Sequence, residues 1–120
     1  MPLEVIADWF LALHRMKREK ILQDPELCKA FDLAAESQKP FIAAHLKNLH
    51  DILSGLVKAA MDAGEIGEDS PEKVTQLLLD ATRGFVHPKL VLEFLGEDRE
   101  PALKSILKVV FEGLSGKAQK

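Results

Sequence analysis

The sequence predicts an all-α fold, a helical bundle of five main helices. Apolar residues recur at three-and-four spacing in five successive stretches, the pattern that lays an apolar stripe along one face of a helix. Proline opens most of these stretches and glycine closes the longest, as helix starts and stops require. No pair of alternating apolar runs is present to form a sheet. With 120 residues the chain fits one domain, which buries roughly two thirds of its unfolded surface on folding. That domain is expected to cover residues 1–116, leaving 117–120 as a disordered tail.

Composition narrows the function classes. Hydrophobic residues make up 47% and charged residues 29% of the chain, ordinary for a globular protein. A net charge of −3 provides no basic field for a nucleic-acid backbone. The single cysteine, Cys28, cannot form an intrachain disulfide, and no secretory leader pattern opens the chain. Together these fit a cytoplasmic protein. No apolar run approaches the roughly 20 residues that cross a bilayer, so no membrane partner is expected.

The first helix spans Pro2 to Leu22, with Val5, Ile6, Trp9, Phe10, Leu13, Met16 and Ile21 on one face or its margin. Its second half is basic through His14, Arg15, Lys17, Arg18 and Lys20. This run reads either as a solvated helix end or as a surface for a polyanion or partner. Asp24 as N-cap and Pro25 at the first helical position announce a second helix carrying Leu27, Phe31, Leu33, Ala34 and Ala35 and ending near Ser37. Within it Cys28 reads as a small buried hydrophobe.

Lys39 to Gly64 is expected to be the long central helix on which the others pack. Its stripe is Phe41, Ile42, Leu46, Leu49, Ile52, Leu53, Leu56, Val57, Ala60 and Met61, and Gly64 is placed to end it in a left-handed conformation. Ser70 and Pro71 restart the chain into a helix with Val74, Leu77, Leu78, Ala81 and Phe85, which His87-Pro88 breaks. Lys89 to Leu95 reads as one or two helical turns. After a charged loop, Pro101 opens the last helix, with Leu103, Ile106, Leu107, Val110, Phe111 and Leu114 as its stripe and Gly113, Ser115 and Gly116 expected to let it fray.

Chemistry-bearing motifs are sparse. His14, His45, His50 and His87 show no i, i+4 pairing, so neither a metal site nor a cofactor is expected. The sequence has no glycine-rich phosphate loop and no serine nucleophile elbow, and the reading is not an enzyme. His45 falls on the central stripe, four residues from both Phe41 and Leu49. It is either a core histidine bonded to a backbone carbonyl or a polar group in a ligand cavity.

In their order these signals resemble the C-terminal regulatory domain of the tetracycline-repressor (TetR) family of bacterial transcription regulators. The resemblance rests on Trp9 to Lys20, on Asp24-Pro25-Glu26-Leu27, on Ala43-Ala44-His45-Leu46, on Gly64-Glu65-Ile66 before Ser70-Pro71, and on Phe85-Val86-His87-Pro88. It implies a homodimer formed by the last two helices of each chain as a four-helix bundle, and a small-molecule pocket in each protomer. Family members carry a helix-turn-helix domain ahead of this region, so DNA contact is expected only through such a missing N-terminal domain.

The inward polar group His45 among aromatic and aliphatic neighbours places the expected cavity between the first, second, central and penultimate helices. Its lining is drawn from Trp9, Phe10, Leu13, Phe31, His45, Leu49, Ile52 and Leu78, and its ligand is expected to be a small apolar or aromatic effector. Surplus apolar residues on the last two helices, Leu79, Val109 and Phe111, are expected to form the dimer seam. The competing reading is a helical adaptor that binds a partner protein without any small ligand.

Overall fold

The computed structural model describes residues 2–24, 26 and 40–118, apart from the side chains of residues 40–43, 45, 88, 117 and 118. In the described residues, helices run over Pro2–Gln23 (α1), Pro40–Asp62 (α2), Pro71–Val86 (α3), Pro88–Glu93 (α4) and Glu100–Ala118 (α5). The fold is all-α. The helix expected after Asp24, with Cys28 and Phe31, lies outside the described residues.

Local chemistry explains the boundaries. At the end of α2, Gly64 takes φ +75°, the left-handed conformation that costs glycine nothing. Its N–H donates to the Met61 carbonyl and the Glu65 N–H to that of Ala60, the paired bonds that satisfy the last carbonyls of a helix. Ser70 caps α3, its Oγ accepting from the Lys73 N–H at 3.4 Å, with Pro71 at the first helical position. His87 is extended at φ −71° and ψ 124°, as the proline after it demands. It ends α3 and caps α4, its Nδ1 accepting from the Lys89 N–H at 3.3 Å.

One core unites the helices. Ile6, Phe10 and Leu11 of α1 meet Leu53, Val57 and Ala60 of α2, Val74, Leu78 and Phe85 of α3, and Leu103, Leu107 and Leu114 of α5. Among the described residues α1 packs against all four other helices, whereas α2 packs against α1 and α3. Among the described residues α1 thus has more helix neighbours than α2, the helix to which the sequence pointed. The reason is visible along α2 itself: its later half turns Leu53, Val57 and Ala60 inward, while Leu46 and Ile52 stand 58% and 46% exposed.

Two further differences from the sequence reading concern α1 and α5. On α1, Val5 and Met16 are exposed, and the inward positions include Leu11 and His14. On α5, the helix continues through Gly113 and Gly116 to Ala118, past the positions expected to fray. The loop before α3 is tied to this end, the Gly67 N–H donating to the Leu114 carbonyl at 3.2 Å. Buried Thr75 and Thr82 return their hydroxyls to carbonyls one turn back, Pro71 at 2.6 Å and Leu78 at 2.9 Å, so neither leaves a donor unpaired.

Candidate functional site

The residues expected to line an effector cavity do not share one environment. Phe10 and Leu78 are sealed in the continuous core, and Trp9 packs edge-on against Phe10 with ring centroids 5.0 Å apart. Leu13 is buried outside that cluster, Leu49 is half-buried, and Ile52 is exposed. Phe31 and the His45 side chain lie outside the described residues.

The buried histidine that the structure does describe is His14. It sits one turn after Phe10 on the inner face of α1 and is 2% exposed. Its Nδ1 lies 2.6 Å from the Phe85 carbonyl oxygen, and because a carbonyl only accepts, the proton is on Nδ1. Nε2 is buried with no partner among the described residues. The basic appearance of the run from His14 to Lys20 hid this residue from sequence reading. The signal was its position, four residues after Phe10 and seven before Ile21.

Around that contact the basic end of α1 clasps the start of α5. Arg15 donates to the Glu100 carboxylate through Nε at 3.0 Å, and Arg18 donates to the Glu97 carbonyl at 2.7 Å. The Arg15 hydrogen bond holds the Glu100 carboxyl below its ordinary range, and Glu100 in turn raises the Arg15 guanidinium. Arg99 lies over two rings, 4.9 Å from the Phe85 centroid and 4.6 Å from that of Phe94. Thus Arg15 and Arg18 hold the chain to itself, an outcome that neither sequence reading of this run foresaw.

The expected seam residues also differ in setting. Val109 is 68% exposed on α5, Leu79 is half-buried against the core, and Phe111 is half-buried on the flank of α5 that faces α1. Leu77, near the middle of α3, is 48% exposed. On the Phe111 flank an open cleft of about 470 Å³ runs between Ala7 and the α5 residues Lys104, Leu107, Lys108, Phe111, Glu112, Ser115 and Gly116. Among the described residues no three His, Cys, Asp or Glu side chains converge as a metal site would need, and no helix is long and apolar enough to cross a membrane.

Residues 2–107 match the family model described as "Tetracyclin repressor-like, C-terminal domain". Comparison with curated proteins and with solved structures gives no match. The matched region takes in α1 to α4 and the start of α5, and with it the core apart from Leu114, the His14 contact and the Arg15 clasp. The chain belongs to the tetracyclin repressor-like C-terminal domain family, and is a regulatory domain of a TetR-like regulator.

Proposed function

We propose that the chain is the effector-binding and dimerisation part of a bacterial, cytoplasmic transcriptional regulator, with operator contacts made by a separate helix-turn-helix domain. The observation that carries the reading is the apolar surface left on α3 and α5, two helices that pack side by side. Val109 at 68% and Leu77 at 48% exposure are large apolar side chains facing solvent in the lone chain. A second copy related by a two-fold axis covers both faces at once, because each patch meets its own counterpart. Leu79 and Phe111 support the seam from its margins. Val109→Glu and Leu79→Glu tested by light scattering address this directly: a like charge from each protomer in an apolar seam dissociates the pair. Variants that keep the mass of an intact dimer reject the seam.

The effector in this reading is a small apolar or aromatic molecule held between α1, α2, α3 and the segment after Asp24, against side chains drawn from Trp9, Phe10, Leu13, Phe31, His45, Leu49, Ile52 and Leu78. His45 is its polar anchor. Thermal-shift screening with apolar and aromatic metabolites tests it, and binding unaffected by His45→Ala and Trp9→Ala places the effector elsewhere. The adaptor reading draws on a specific observation of its own, the exposed Leu46 and Ile52 of α2 beside the sealed Phe10 and Leu78. The family is one of regulatory domains and not of enzymes.

A further inference from the structure

We infer that the cleft between α1 and α5 is a second binding site, for an amphipathic monoanion: a single carboxylate or sulfonate head on an apolar body. The cleft lies apart from the effector space proposed above and shares Phe111 with the margin of the proposed dimer seam. The cleft's volume, about 470 Å³, falls within the range of roughly 300–1,000 Å³ typical of small-molecule sites. Its lining separates into an apolar floor of Ala7, Leu107 and Phe111 and a charged rim of Lys104, Lys108 and Glu112. From Lys104 to Gly116 it follows α5 for roughly 18 Å at about 1.5 Å per residue, room for an elongated body.

Charge decides the class of ligand. Lys104 and Lys108 are one turn apart on the same side of α5 and both line the cleft, so their ammonium groups are neighbours along its edge. Neither makes an ion pair among the described residues. Glu100, one turn before Lys104, is hydrogen-bonded to Arg15 and feels the Lys104 charge without forming an ion pair with it. The remaining charge in the lining, Glu112, lies one turn beyond Lys108, so two cations face one anion and the positive pair sits toward the α5 start. The head is held by Lys104 and Lys108, and the body runs over Leu107 and Phe111 toward Ser115. Ala7 keeps the space open, because a larger side chain there would occupy the floor.

The test is an NMR titration of the full chain with octanoate and, separately, octanol, which shares the apolar body without the charge. Octanoate should shift the amides of Ala7, Leu107 and Phe111 and bind at least about fivefold more tightly than octanol, the size expected of exposed charge contacts. The Lys104→Ala/Lys108→Ala double variant should bring octanoate down to the octanol level, and Glu112→Gln should tighten octanoate alone. Ala7→Leu and Ser115→Leu, which fill the cleft from opposite walls, should weaken both ligands. Equal binding of octanol, indifference to the lysine pair, or shifts confined to other helices would overturn the proposal. So would cleft resonances that move with protein concentration and not with octanoate, since a second copy would then occupy the groove.

Discussion

His14 and Phe85, 71 positions apart in sequence, are joined by a 2.6 Å hydrogen bond from the imidazole to a main-chain carbonyl. Pro88 explains why that carbonyl needs it. A helix continuing past Val86 would bring the Lys89 N–H to Phe85, but His87 takes that donor for its own Nδ1. His14 therefore acts as a long-range cap on the end of α3. His14→Ala should destabilise the protein by about 2–4 kcal/mol, combining a lost buried ring with an unpaired carbonyl. His14→Leu, which restores packing alone, should still cost about 1–3 kcal/mol. Urea unfolding measures both; a loss under about 1 kcal/mol for His14→Ala would mean the carbonyl finds another donor.

Two glycines should respond to alanine with opposite signs. Gly55 lies inside α2 with open space where a Cβ would stand, so Gly55→Ala should stabilise by about 0.5–1 kcal/mol. Gly64 has equal space but φ +75°, so Gly64→Ala should destabilise by about 1–2 kcal/mol despite the absence of any clash. Thermal unfolding of the pair isolates backbone conformation from packing.

Acid should loosen the clasp between α1 and α5. The Glu100 carboxyl is held below its ordinary value of 4.5, first by the Arg15 hydrogen bond. A depressed carboxyl contributes stability that is complete above its unfolded value and is lost as pH falls through the folded one. Glu72 acts with the same sign through its own backbone N–H and the Ser70 hydroxyl. The melting temperature should fall as the pH drops below the ordinary carboxyl value of 4.5, and Glu100→Gln should flatten that fall in part. Because the pair is exposed, salt should shrink the difference between wild type and variant. An unchanged pH profile in Glu100→Gln would show that the clasp contributes nothing to stability.

Among the described residues, helix order and most boundaries were legible in the sequence because they depend on local chemistry: Pro71, Pro88 and Gly64 act on their own backbone neighbours. The stripe of α5 was equally legible, with Leu103, Leu107 and Leu114 buried as spacing requires. What escaped was decided by tertiary neighbours. Nothing local tells that His14 faces a broken helix end, or that Arg15 meets Glu100 across 85 positions. The cleft on α5 was invisible for the same reason. Its floor needs a small residue on another helix, Ala7, opposite the lysine side of the stripe.

A seam between two copies, built from α3 and α5, is checked by sedimentation equilibrium of the wild-type chain. A stable pairing should bury about 800 Å² or more on each protomer and hold at micromolar concentration. A single species of twice the 13.3 kDa chain mass is expected throughout the low micromolar range. A species of 13.3 kDa persisting at tens of micromolar would contradict it, leaving Val109 and Leu77 as exposed residues of a monomer.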